Sequence, residues 1–391
     1  MQAVAPDFAY VGDEFVPDAA IAFNTAGRIT YVGPAAGLPA GVVAQRLAGR
    51  AVLPGLVNAH SHAFQRVIRG WTQWKPAREN ADFWSWRDAM YRAVLRLSPS
   101  DLYQVSRFCF TEMLLSGYTT VGEFHYVQRN ERGEPYGNPN ELALEVLRAA
   151  LDVGIRIVLL NVCYATGGVG EPLRAEQRRF ATPHLDEFLE ATDGLRANVE
   201  GSSRASVGVA PHSIRAVPRE WLQPIAEYAR RAGCPLHMHV SEQPAEVEAC
   251  VEAYRRRPGE VLVEDGVVGS DFTAVHAMHL SAYEISAFGA AGVTVCACPT
   301  TERDLGDGIL PAGELLEAGA HLCVGSDSQT VIDPWEELRS LEYHTRLRTL
   351  RRVALVAARD DRREVAPVLL RAGTQEGARA LRLEAGRLET G

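Results

Sequence analysis

Eight apolar stretches, each about the length of one strand, recur along this chain with amphipathic segments between them. They fall at 51–59, 119–124, 156–163, 205–210, 234–240, 272–276, 292–297 and 321–325. A strand buried on both faces reads as a continuous apolar run, and its parallel neighbour is reached only by a crossover, usually a helix. Segments such as 140–152 and 218–232 supply the helical period between the runs. Eight strand–helix units over roughly 300 residues predict an α/β fold, a (β/α)8 barrel of the TIM type, over residues 51–370. Residues 1–50 read differently. Short alternating segments with glycine punctuation, such as Arg28-Ile29-Thr30-Tyr31-Val32-Gly33-Pro34, predict a small β domain ahead of the barrel.

Composition narrows the partners. The 391 residues are 47% hydrophobic and 23% charged, which supports a large core. A formal net charge of -9 argues against nucleic acid or an anionic membrane surface as the main partner. It leaves room for an acidic small molecule, because local arginines can still build a positive pocket. No apolar run approaches the roughly 20 residues of a membrane span. The start, Met1-Gln2-Ala3-Val4-Ala5-Pro6-Asp7, has neither a basic n-region nor an apolar h-region, so the expectation is no signal peptide and a cytoplasmic location. The seven cysteines lie mostly in apolar stretches and are expected to be buried thiols.

In a (β/α)8 barrel the chemistry sits at the C-terminal ends of the strands. Here those ends are rich in histidine: His60 and His62 after the first run, Glu123-Phe124-His125-Tyr126 after the second, and Pro211-His212-Ser213-Ile214-Arg215 after the fourth. The fifth ends in His237-Met238-His239-Val240-Ser241-Glu242, the sixth in His276, and the eighth in Gly325-Ser326-Asp327. Residues two apart in a strand point the same way, so His60 and His62 leave one face of one rigid element. With His239 and Asp327 they offer three imidazole nitrogens and one carboxylate, a set that suits a single divalent metal with an open position, zinc ahead of iron or manganese. Glu242, three residues beyond His239, is placed to carry the proton of a hydrolytic water, and His276 to polarise the substrate or steady the nucleophile. Asp327 is expected both to ligate and to help orient that nucleophile. His237, lower in the barrel, reads as packing, and His125 as a partner of the ligands rather than a ligand.

Four motifs carry a resemblance: Leu53-Pro54-Gly55-Leu56-Val57-Asn58-Ala59-His60-Ser61-His62, His239-Val240-Ser241-Glu242, Val275-His276-Ala277 and Gly325-Ser326-Asp327. In these the chain resembles the amidohydrolase superfamily, in its branch of single-metal deaminases. Finer likeness rests on His62-Ala63-Phe64-Gln65-Arg66, Phe83-Trp84-Ser85-Trp86-Arg87, Glu123-Phe124-His125-Tyr126, Pro211-His212-Ser213-Ile214-Arg215 and the segment from Cys298 to Gly308. It points to the group that hydrolyses N-formimino-L-glutamate to N-formyl-L-glutamate and ammonia in histidine breakdown. By that resemblance Gln65, Tyr126 and His212 line the substrate pocket. A dicarboxylate substrate needs cationic forks, and arginine binds carboxylate in bidentate geometry. Arg215 should face the barrel mouth, and Arg87 lies in the long first loop, residues 63–98, a lid candidate that also holds Trp71, Trp74, Trp84 and Trp86.

Two other classes stay open at this point. One is another single-metal deaminase acting on a purine, a pterin or a related amidine. The other is a non-catalytic relative kept as a scaffold. The resemblance also implies a chain that returns to its small β domain after the barrel, so residues 371–391 are expected to begin that return and to leave the domain incomplete. A homodimer is the expected assembly.

Overall fold

The computed structural model describes residues 2–73, 75, 81–358 and 363–391. The small domain is a five-stranded sheet. Its strands are β1 (Gln2–Val11), β2 (Glu14–Pro17), β3 (Ala19–Phe23), β4 (Ile29–Pro34) and β5 (Ala44–Val52), in the order β2-β1-β3-β4 with β5 alongside β1. Ala9, Ala19 and Ile21 form its core, with Leu388 from the far end of the chain packed against them. The amide of Gly391 donates to the carbonyl of Ile29 at 3.1 Å.

The second sheet is the predicted barrel. Its strands run β6 (Leu56–Ser61), β7 (Tyr118–His125), β8 (Arg156–Cys163), β9 (Ala205–Pro211), β10 (Leu236–Val240), β11 (Phe272–His276), β12 (Thr294–Ala297) and β13 (His321–Val324). All neighbours are parallel and sequential. The apolar run at 51–59 is divided between the two sheets. Ala51 and Val52 finish β5, Pro54 has no amide to give a ladder, and β6 starts at Leu56.

Helices cover the barrel as the pattern requires. On the helix Arg219–Ala232, Leu222, Ile225, Ala226 and Ala229 are buried, a stripe with the three- and four-residue spacing of one helical face. Gly233 ends that helix with φ +63°, and Cys234 and Pro235 lead into β10. Inside the barrel, Ala59, Val275, Cys296, Cys298 and Cys323 pack together with Ala380, from a short helix that caps the floor. All seven cysteines are buried free thiols. Among the described residues no helix is long and apolar enough to cross a membrane.

The ring closes where β13 returns to β6. The amide of Asp327 donates to the carbonyl of His60 and the amide of His62 to that of Asp327, both at 3.0 Å. Asn58 brackets the seam from below, donating to Ser326 Oγ at 2.6 Å and accepting from the Ser326 amide at 3.0 Å. A side chain at position 325 would put its Cβ 2.6 Å from the His60 carbonyl oxygen, so only glycine lets the strands approach this closely.

Candidate active site

The closing seam sets the side chains of β6 and β13 facing one another at the mouth. His60 Nε2 lies 3.1 Å from His62 Nε2 and 3.1 Å from His239 Nε2. Asp327 Oδ1 lies 3.1 Å from His62 Nε2 and 3.4 Å from His60 Nε2. Four donors around a tetrahedral zinc at roughly 2.0–2.1 Å stand about 3.3 Å apart, so this spacing fits one small divalent ion without rearrangement. Two of the three remaining ring nitrogens agree with that fit. His62 Nδ1 pairs with the Phe124 carbonyl at 2.9 Å and His239 Nδ1 with the His212 carbonyl at 3.0 Å, which orients both rings with Nε2 free to ligate. His60 Nδ1 is buried with no hydrogen bond among the described residues.

Burial disfavours the charged form of two of these imidazoles. Burial holds His60 down at about 3, helped by the neighbouring His62 and His276, against the pull of Asp327. Burial, with His212 and His60 nearby, takes His239 well below its ordinary value. His276 goes the other way. Burial disfavours its charge, yet Glu242, Glu302 and Asp327 outweigh that and raise it to about 10. Its Nδ1 is 3.3 Å from Glu302 Oε1, and its Nε2 is 3.7 Å from Glu242 Oε1 and 3.8 Å from Asp327 Oδ2. His276 (φ +67°) and Asp327 (φ +46°) both hold left-handed backbone conformations, a concentration of strain at the mouth.

One cavity above the donors brings the predicted residues together. His62, His239, Glu242 and Asp327 line it on one side and Gln65, Arg87, Tyr126, His212 and Arg215 on the others. Gln65 Nε2 donates to Tyr126 Oη at 2.9 Å, and His212 Nδ1 pairs with Ser213 Oγ at 3.0 Å. The two arginines differ sharply. Arg215 is buried between Glu242 and Glu246. Arg87 stacks over Trp84, 4.4 Å from the ring centre, and no carboxylate among the described residues pairs with it. It sits on a helix, Phe83–Val94, not on the loop expected there. Asp82 caps that helix by accepting from the Ser85 amide at 3.0 Å, and Phe83, Trp86, Met90 and Tyr91 line the cavity beside Arg87. Trp74 and residues 76–80 lie outside the described residues.

Two further histidines lie away from this cavity, His237 low in the barrel as expected. His237 is at the barrel floor, its Nε2 2.8 Å from the Ala380 carbonyl. His125 faces a separate cavity behind β7 and β8, beside Asn140 and Asn161. The sequence reading gave no role to the buried carboxylates Glu123, Glu246 and Glu302. Glu123 accepts from Ser61 Oγ, Glu246 from the Ser241 amide, and Glu302 from the Cys298 amide. Acidic residues are rarely buried without partners; that of Glu123 is remote in sequence, and those of Glu246 and Glu302 are backbone amides.

Known proteins share this architecture. The sequence model of the amidohydrolase family matches residues 51–391. The chain is 40% identical over 349 residues to a formimidoylglutamate deiminase of Pseudomonas aeruginosa, covering 89% of this chain and 76% of that protein. An amidohydrolase from Brucella melitensis superposes with a TM-score of 0.91 at 33% identity, over 100% of this chain and 85% of its own. An adenosine deaminase from Xanthomonas campestris with bound zinc gives 0.82 at 23% identity, over 100% of this chain and 82% of its own, a likeness of fold alone. By its family model and its 40% identical relative, the chain belongs to the amidohydrolase family.

Proposed function

We propose that this chain hydrolyses N-formimino-L-glutamate to N-formyl-L-glutamate and ammonia, a step of histidine breakdown. The relative at 40% identity is a formimidoylglutamate deiminase, and that supports the substrate. The observation that carries the reading is the composition of one cavity, in which a cluster of metal donors, a glutamate and two guanidinium groups share the same walls. Such a cavity matches a molecule with a hydrolysable carbon at one end and carboxylates at the other.

The amidohydrolase family uses a divalent metal, and we take the ion to be zinc, held by His60, His62, His239 and Asp327. When bound, the ion would supply the Lewis acidity that lowers water's pKa toward roughly 7. Glu242 accepts the proton that the attacking water gives up as a bond forms between its oxygen and the formimino carbon. The same carboxyl then delivers the proton to the imino nitrogen. The added hydroxyl then gives up its own proton, which Glu242 passes to the same nitrogen, so that the carbon–nitrogen bond breaks, ammonia leaves, and the formyl oxygen comes from water. His276, protonated between Glu242, Glu302 and Asp327, holds the first and last of these in place and favours the negative charge that develops beside them. Asp327 ligates and orients the water. Gln65, Tyr126 and His212 shape the pocket, and Arg87 and Arg215 bind the carboxylates. A cytoplasmic homodimer is part of the same proposal.

Ammonia release tests it. Metal-loaded protein should turn over N-formimino-L-glutamate in preference to N-formimino-L-aspartate and should leave guanine untouched. Turnover of guanine with none of N-formimino-L-glutamate would overturn the reading.

A further inference from the structure

Arg215 holds two carboxylates in different ways. Its Nη2 donates to Glu242 Oε2 at 2.9 Å, and its Nε lies 3.1 Å from Glu246 Oε2. Glu246 is fixed from behind. It rides on the helix Pro244–Tyr254, is buried, and its Oε1 accepts from the Ser241 amide at 3.1 Å. Glu242 faces the cavity instead, and among the described residues its carboxylate has no hydrogen bond except the one from Arg215. The guanidinium therefore has one edge ion-paired with a fixed carboxylate, without a hydrogen bond between Nε and Oε2, and one edge turned to the pocket. On the pocket edge, the group now bound is a carboxylate, the same chemistry as a carboxylate substrate.

We infer that Glu246 is a positioning residue that fixes Arg215 by its Nε edge and leaves the Nη2 edge exchangeable between Glu242 and a carboxylate of the substrate. This rests on the substrate reading above. In the empty pocket Arg215 restrains Glu242. An incoming carboxylate competes for the same donor on equal chemical terms and releases Glu242 to take up the proton of the hydrolytic water. An acidic substrate thereby frees its own proton carrier, and an amidine without a carboxylate meets a restrained one. Discrimination against amidines that lack a carboxylate then appears in kcat as well as in KM, because the remote carboxylate contributes to the reacting geometry.

The test separates the two parts of the substrate. The metal-loaded full chain is assayed for ammonia release from N-methylformamidine, which keeps the reacting amidine and lacks both carboxylates, over a series of acetate concentrations. Metal content is measured at each one. Acetate should raise kcat by at least about threefold before the effect saturates. A flat or falling response, or no turnover at any acetate concentration, overturns the inference. Glu246→Gln should keep its metal, lose the acetate effect and lower kcat on N-formimino-L-glutamate; full acetate activation in that variant overturns the anchoring role. The wild-type series decides the exchange even if the variant does not fold. N-formimino-L-glutamate run on the same preparation keeps the two readings apart. Its turnover without any acetate effect removes the exchange alone, and its inertness beside acetate-activated N-methylformamidine removes the substrate alone.

Discussion

Glu123 grips the turn that carries the first two donors. Its Oε2 accepts from Ser61 Oγ at 2.6 Å and its Oε1 from the Ala63 amide at 2.7 Å, so one buried carboxylate on β7 spans the residues on either side of His62. Gln329 Nε2 donates to the same Ser61 hydroxyl at 2.9 Å, which ties the segment after β13 into the clasp. Glutamine at 123 keeps an acceptor for the Ala63 amide, and alanine leaves buried donors unpaired at about 1–3 kcal/mol each. Glu123→Ala should therefore lower both metal occupancy and melting temperature, and Glu123→Gln should stay near wild type in both. Metal analysis and thermal unfolding of the pair check this; equal loss in both variants would show that charge, not hydrogen bonding, is what the position supplies.

The barrel seam makes a second expectation. A Cβ at position 325 meets the His60 carbonyl at 2.6 Å and the His60 amide nitrogen at 2.9 Å, both backbone atoms that cannot swing aside. Gly325→Ala must push β13 away from β6, and with it Asp327 away from His60 and His62. We expect a loss of at least about 2 kcal/mol in stability and a fall in metal affinity. Denaturant unfolding with and without added zinc measures both. A variant with native stability and stoichiometric metal would mean that the ring tolerates a wider seam.

Much of this was legible in the sequence for a simple reason. Strands buried on both faces must be apolar runs, and a polar residue at the end of such a run stands out against it. His60, His62, His239 and Asp327 are conspicuous because each interrupts an apolar strand at the same end. Glu246 and Glu302 interrupt nothing so visible, and Glu123, which does end an apolar run, gives no sign of its partner. The two helical glutamates look like solvent-facing ones until their partners appear, and those partners are backbone amides and the guanidinium of Arg215. Arg87 shows the same limit from the other side. The aromatic stretch from Phe83 to Trp86 carries no clear helical period, yet the Asp82 cap starts a helix there and delivers the arginine to the cavity. The break between β5 and β6 depended on which neighbour Ala51 and Val52 pair with, a fact that no run of apolar residues contains.

Glu242 carries no metal-donor distance, and its proposed work is proton transfer. Glu242→Gln preserves volume and can still accept from Arg215, so metal binding should be unchanged. Turnover should fall by roughly 10²–10⁴-fold, the range ascribed to a positioned general base. Metal analysis beside ammonia release decides the matter. Near-normal turnover would remove Glu242 from the proton path.

Arg87 differs from Arg215 in having no acidic partner among the described residues, so its charge is available to a ligand. Lysine there keeps the charge and loses both the bidentate fork and the stack on Trp84. Arg87→Lys should raise KM for N-formimino-L-glutamate by about 10–100-fold, the loss of roughly 1.4–2.8 kcal/mol of binding, with a smaller effect on kcat. Steady-state kinetics give the split directly. An unchanged KM would place the substrate's carboxylates elsewhere.

His276 yields a pH dependence whose sign is fixed by its surroundings. Burial opposes its charge, and Glu242, Glu302 and Asp327 overcome that to raise the folded value to about 10 from an ordinary 6.5. A cation favoured by the fold contributes stability that is fully present below about 6.5 and is lost as pH rises toward 10. Metal-free protein should therefore melt at progressively lower temperature across that window, because the folded state gives up a proton that the three carboxylates had been holding. His276→Asn removes the titrating group and should flatten the slope, at the expense of lower stability at pH 6, where three carboxylates are left with no cation between them. Zinc should also flatten it, by drawing Asp327 into coordination and reducing the negative field on the ring. Thermal unfolding of wild type and variant between pH 6 and pH 10, each with chelator and with zinc, measures all four slopes. A metal-free wild type whose melting temperature holds steady or rises across this range would show that His276 is neutral in the fold and takes no part in holding Glu242 and Asp327 together.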